Sequence, residues 1–264
     1  MLTVFVAAAF ASTAAAKRPQ HGGGGGGGSS PTGYDVSYPQ CGGPLPSNIL
    51  FGIVGVNDGI VYSANPCLGA GSSASELQWA GQNAILYANT GNPGPSLSHH
   101  WPNGQTSPKQ CNTTSSPGSD TANCAYDYGW NAAADSYQDG VNAYVSLGWA
   151  PTGSTRTPVA NQWWLDVEIA NSWESNLANN VADLQGAVDY LVSVGASGVG
   201  FYSSPSDWAT ITGSTATFSA RGSWVAGAGS QTTAQSKCGT TGFTGGPVLY
   251  SQYASSGFDA DVRC

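Results

Sequence analysis

The chain predicts an α/β fold, an irregular TIM-like β/α barrel with helix-poor C-terminal strands, on three observations. Seven short runs rich in β-branched and aromatic residues recur along it, at 33–37, 51–56, 84–88, 162–169, 198–203, 223–226 and 248–253. Helical periodicity is interleaved with them through the first two thirds. Strands that alternate with helices pair in parallel through crossover helices, and a barrel is the expected closure. Beyond about Gly213 strands continue without a convincing helix, so that end should be irregular.

Taken in order, residues 2–16 are apolar and close on Ala14-Ala15-Ala16, the pattern of a secretory signal peptide (1–16) ending in a small-residue cleavage site. The stretch is short of the roughly 18–20 apolar residues that span a bilayer, and no later segment approaches that length. The basic residues expected before it are absent, which places the true start a few residues upstream. Residues 17–32 contain an unbroken glycine run, Gly22 to Gly28, and read as a flexible linker. One domain, 33–264, follows and is long enough to bury a sizeable core. A helix is predicted over about 131–147 from Ala134, Tyr137, Val141 and Tyr144. A Pro/Thr-rich loop leads from it to the fourth strand. The clearest helix carries Leu177, Val181, Leu184, Val188 and Leu191 on one face, and Gly195 stands where a left-handed C-terminal cap belongs.

The stretch Trp163-Trp164-Leu165-Asp166-Val167-Glu168 sets two carboxylates two positions apart in an apolar run. On a strand, Trp164, Asp166 and Glu168 share one face while Trp163, Leu165 and Val167 fill the other. Burying ionisable groups is costly unless they are paired, hydrogen-bonded or neutralised by a raised pKa, and a general acid near neutral pH needs a raised pKa. The pair is therefore a catalytic candidate. A structural acid pair that caps helices or accepts from backbone amides satisfies the same pattern.

Only 8% of the 264 residues are charged and the net charge is −8, against about 25% charged in an average globular chain. Seven Lys and Arg leave no basic stripe for phosphates, so nucleic acid and anionic membrane surfaces are disfavoured as partners. Six cysteines without a C-x-x-C pair point to disulfides in an exported chain rather than zinc. Order along the chain favours Cys41 with Cys67, Cys111 with Cys124, and Cys238 with Cys264. Asn112-Thr113-Thr114 is a glycosylation sequon. The adjacent His99 and His100 make neither a metal site nor a catalytic pair by themselves and read as loop residues. No G-x-S-x-G elbow, P-loop, G-x-G-x-x-G or H-E-x-x-H occurs, so acyl transfer, phosphoryl transfer, dinucleotide redox and zinc hydrolysis lack their usual residues. Neither a cofactor nor a metal is expected, and a monomer is.

Five segments in order resemble the glycoside hydrolase family 25 muramidases. They are Gly33-Tyr34-Asp35-Val36-Ser37 with Gln40, Asp166-Val167-Glu168, Phe201-Tyr202-Ser203-Ser204 with Trp208, Trp224-Val225-Ala226, and Gln252-Tyr253 through Asp261-Val262. The resemblance implies a lysozyme built on an incomplete β/α barrel, acting on peptidoglycan. It assigns Glu168 as the acid that protonates the leaving oxygen and Asp166 as its neighbour, with Asp35 and Asp261 tuning the acids or holding water. Two residues along a strand separate Cβ atoms by roughly 6.6 Å, which does not suit the close acid and nucleophile of an ordinary retaining enzyme. A substrate-assisted route, with the sugar's N-acetyl group as nucleophile, suits it better. Sugars also stack on rings, so Trp164, Tyr202, Trp208 and Tyr253 are the expected groove aromatics, while Trp163, Trp224 and Trp79 are expected in the core.

The chain departs from the family at Gly55-Val56-Asn57-Asp58-Gly59, at Tyr87-Ala88-Asn89-Thr90, and at Ser251, where the family has Trp before Gln-Tyr. The acids stay and the groove changes, which suits a different polysaccharide as well as peptidoglycan. A secreted carbohydrate-binding protein without turnover is the alternative from another class.

Overall fold

A computed structural model describes residues 32–71, 74–111, 118–149 and 161–264. The signal peptide, all but the last residue of the linker, the sequon and the Pro/Thr-rich loop lie outside the described residues. Eight strands close one barrel in sequence order: β1 (Thr32–Val36), β2 (Ile49–Gly55), β3 (Ile85–Asn89), β4 (Gln162–Asp166), β5 (Gly198–Ser203), β6 (Ser223–Val225), β7 (Val248–Ser255) and β8 (Phe258–Arg263). Strands β1 to β7 run parallel, each to the next. β8 turns back and pairs antiparallel with both β7 and β1.

That last strand was not expected from the sequence. Its alternation, Phe258-Asp259-Ala260-Asp261, carries two acids where apolar residues usually mark a strand. Because β7 and β8 form a hairpin, no crossover helix is needed between them. Three short helices were also not anticipated: α1 (Glu76–Ala80), α4 (Pro205–Thr212) and α5 (Gln231–Lys237). α5 lies past Gly213, where no helix was expected. It reads Gln-Thr-Thr-Ala-Gln-Ser-Lys and buries only Ala234, so it has no apolar stripe to find.

The two long helices were expected. α3 (Leu177–Ser193) buries Leu184, Val188 and Leu191 of its expected face, leaves Leu177 exposed and Val181 half-buried, and is capped by Val194, with Gly195 at φ 84°. α2 (Ala122–Ser146) starts well before the expected Asn131, behind a Thr121 cap that accepts from the Cys124 amide. Of its expected face only Tyr144 is fully buried. Gly129, Ala132, Ala133, Ser136, Gly140 and Ala143 face inward, whereas Ala134, Tyr137 and Val141 are only half-buried. Small residues let the helices approach closely: a Cβ on Gly129 would fall on the Asp183 carbonyl oxygen, and one on Gly186 on that of Tyr126.

Strand parity divides the core into two layers. Outward residues Val36, Val54, Leu86, Trp163, Leu165, Val167 and Phe201 pack under α2, α3 and α4. Inward residues Ile53, Ile85, Trp164, Tyr202, Trp224 and Tyr250 fill the barrel. Trp164 sits edge-on to Trp224 and Tyr250, with ring centroids 6.0 and 5.4 Å away. Gly200 makes room for it, since a Cβ there would overlap the Trp164 ring. At the end of the barrel away from the strand C-termini, the Arg263 guanidinium lies 4.3 Å from the Phe51 ring centroid. The disulfides join Cys41 to Cys67, Cys111 to Cys124 and Cys238 to Cys264, the pairing expected from chain order. Among the described residues no helix is long and apolar enough to cross a membrane.

Candidate active site

The C-terminal ends of parallel barrel strands leave backbone and loop residues free to present side chains over the filled interior. Asp166 is the last residue of β4 and shares the inward side of Trp164. Asp166 is 4% exposed. Its Oδ2 accepts from Asn89 Nδ2 at 2.8 Å, and its Oδ1 has no protein donor. Burial, followed by the charges of Glu168 and Asp207, drives its pKa well above the ordinary carboxylate range. Glu168 lies past the strand end and is half-buried; its carbonyl accepts from Trp173 Nε1 at 2.8 Å, which fixes the start of the following loop.

A second acid pair comes from β1 and β8. Asp35 pairs in register with Asp259, and Asp261 with Gln252 on β7. The Asp35 and Asp261 carboxyls are in hydrogen-bond contact with each other. Trp224 Nε1 donates to Asp261 Oδ1 at 2.7 Å, and Gln252 Nε2 donates to Asp35 Oδ2 at 3.0 Å. Burial pushes Asp261 up to about 7. It pushes Asp35 well above its ordinary value, helped by the charges of Asp261 and Asp259.

Tyr202 is where the two pairs meet. It lies opposite Asp166 in the β4–β5 register, and its hydroxyl donates to Gln252 Oε1 at 2.9 Å. Burial keeps it a neutral phenol, and the charges of Glu168, Asp35, Asp166 and Asp259 act in the same direction. All four acids singled out in the sequence therefore surround one barrel mouth. Tyr87 on β3 is half-buried beside them and feels Asp35 and Asp166.

The aromatic residues are placed differently from expectation. Trp164 is fully buried beneath the acids, inside the barrel, and has no face to offer a sugar. Trp208 is on α4, packed on Phe201 and Phe218 in the outer core. Tyr253 follows the inward Gln252, so it points outward and packs on Ala228, Ala234 and Ala260. Of the four groove aromatics, Tyr202 alone stands with the acids, and it is 8% exposed. Trp163 and Trp224 are core, and Trp79 packs against it.

The polar partners Asn89, Gln252 and Asn57 were not singled out. Asn57 Oδ1 accepts from the Asn89 amide at 3.0 Å, tying β2 to β3 beneath Asp166. Parity was the available signal, since Ile85, Tyr87 and Asn89 alternate inward, as do Tyr250 and Gln252. His100 is exposed and stacks on Tyr62 with centroids 4.0 Å apart, as a loop residue would. Among the described residues no group of three or more His, Cys, Asp or Glu could hold a metal ion.

Residues 153–237 match the family described as Lysozyme-like protein 1. No curated protein matches the chain. Among solved structures, a muramidase from Trichobolus zukalii aligns with TM-score 0.52 at 17% identity, covering 89% of this chain and 94% of that one. A lysozyme from Streptomyces coelicolor aligns with TM-score 0.49 at 16% identity, over 89% and 92%. A muramidase from Acremonium alcalophilum gives 0.46 at 15%, over 89% and 94%. At such identities the likeness is one of fold, and the first of these carries it: the domain shares the barrel fold of that structure.

Proposed function

We propose that the domain is a secreted glycoside hydrolase of the lysozyme type that cleaves peptidoglycan. The observation that carries this reading is the gathering of Asp35, Asp166 and Glu168 around Tyr202 at one barrel mouth, with Asp261 beside Asp35 and with Asp166 buried and one of its oxygens without a donor. The lysozyme-like match over 153–237 spans the Asp-x-Glu stretch and supports it. Three disulfides and the apolar N-terminal run support export.

On this reading Glu168, the more open of the β4 acids, donates its proton to the leaving glycosidic oxygen. Asp166 stays beneath it, held by Asn89, and its free Oδ1 faces the developing positive charge. Burial and the charge of Glu168 raise Asp166, so a proton is held at this pair, and the reaction requires it on Glu168 as the leaving oxygen departs. The sugar's N-acetyl oxygen supplies the nucleophile, because the β4 acids stand side by side rather than across the bond. Asp35 and Asp261 form a second acid pair that sets the field of the mouth. The domain acts alone, as a monomer.

A lectin-like reading loses its main support, since Trp164, Trp208 and Tyr253 are packed away from the mouth. The deciding experiment incubates the purified domain and Glu168→Gln with solubilised peptidoglycan and with neutral polysaccharides, and follows new reducing ends by chromatography and mass. Fragments that depend on Glu168 and arise from peptidoglycan are expected. Fragments from another polymer would keep the chemistry and change the substrate, and none from any polymer by the folded domain would overturn the reading.

A further inference from the structure

The hydrogen bonds that Trp224, Tyr202 and Gln252 make around Asp35 and Asp261 each have a fixed direction. Trp224 Nε1 can only donate, so Asp261 Oδ1 must accept. The Tyr202 hydroxyl, kept neutral by burial, donates to Gln252 Oε1, which turns Gln252 Nε2 toward Asp35 Oδ2 as a donor. Gln252 is 4% exposed and held at both ends, so its amide has one orientation. The Asp261 Oδ2 atom is then left buried with no donor, although the Asp35 carboxyl is in hydrogen-bond contact with its residue. A proton on Asp35 completes the set.

We propose that Gln252 is a positioning residue: with Tyr202 behind it and Trp224 opposite, it fixes Asp35 and Asp261 as a pair sharing one proton, with Asp35 as donor and Asp261 as the ion. The pair then contributes one negative charge to the mouth instead of two, and a second would oppose the delivery of a proton from the β4 acids. Asp35 is faced by Asp261 and Asp259 from β8, Gln252 from β7, Tyr202 from β5 and Tyr87 from β3. Asp261 is faced by Asp35 from β1, Trp224 from β6 and Tyr250 from β7, with Asp259 two residues away on its own strand. The Gln252 amide favours the ionised form of Asp35, so removing it must make the pair hold its proton to higher pH.

The significance of the pair rests on the hydrolase reading, but its proton does not, and two readouts keep these apart. In a potentiometric difference titration against the parent protein, Gln252→Met should release the pair's proton about one pH unit higher, the equivalent of one hydrogen bond to a charged group. Tyr202→Phe, which frees the amide to rotate, should shift it the same way by less. With peptidoglycan as substrate, the alkaline limb of kcat/KM should move by the same amount in each variant while the acid limb stays. A titration shift without activity would support the pair and overturn the hydrolase. Unshifted titration in the folded variants would overturn the pair, and Tyr202→Phe decides alone if Gln252→Met does not fold.

Discussion

Replacing Asp261 by Asn should make the protein more stable at alkaline pH and leave it nearly unchanged in acid. The side chain is 3% exposed, and Asn keeps the shape and an oxygen for Trp224 Nε1 at 2.7 Å. Burial raises Asp261 from 3.8 to about 7 in the folded chain. Below the unfolded value both states hold the proton and stability is full. As pH rises from about 4 to about 7 the unfolded chain ionises first, and stability falls by about 1.4 kcal/mol per pH unit. Three units amount to about 4 kcal/mol, and coupling to Asp35 makes about 2–4 kcal/mol the range expected for the stabilisation by Asp261→Asn near pH 8. Near pH 4 the difference should be under about 1 kcal/mol. Urea unfolding followed by tryptophan fluorescence at several pH values measures this directly. Parallel stability curves for the two proteins would refute the claim that Asp261 is buried at a cost in charge.

Three further outcomes follow from the same coordinates. Glu168→Gln should lower peptidoglycan cleavage by about 10²–10⁴-fold with unchanged circular dichroism; activity within a few-fold of the parent would remove Glu168 as the acid. Gly186→Ala should destabilise by about 1–3 kcal/mol despite Ala's better helix propensity, because its methyl falls on the Tyr126 carbonyl oxygen. Thermal unfolding reads it, and a raised midpoint would mean that α2 and α3 pack less closely. Replacing Cys238 and Cys264 together by Ser opens a crosslink 26 residues apart in sequence and should cost about 3.5 kcal/mol in urea unfolding. A loss near zero would mean that β8 is held by its ladders alone.

Much of this molecule is determined locally. Alternation along 163–168 fixed which side chains of β4 face in, because strand side chains alternate whatever the neighbours are. The apolar face of α3 and its glycine cap follow from a period of 3.6, and the nearest-neighbour cysteine pairing from chain order. The start of α2 and much of its inner face were not legible, since between 129 and 143 that face is built of Gly, Ala and Ser, which allow close approach to α3 without an apolar stripe. β8 was hidden because its inward positions carry acids. The partners of the acids, Asn89, Gln252 and Tyr202, belong to strands far apart in sequence, and only closure of the barrel sets them against Asp166 and Asp35. The same closure buries Trp164, while packing on the outside of the barrel buries Trp208 and Tyr253, all three of a residue type that suited a sugar groove. Sequence by itself determined the strand faces, the long helices and which carboxylates are scarce enough to matter. Tertiary structure alone decided which of those carboxylates meet and which aromatic faces are left to solvent, because burial and contact are set by elements that the chain brings together from a distance.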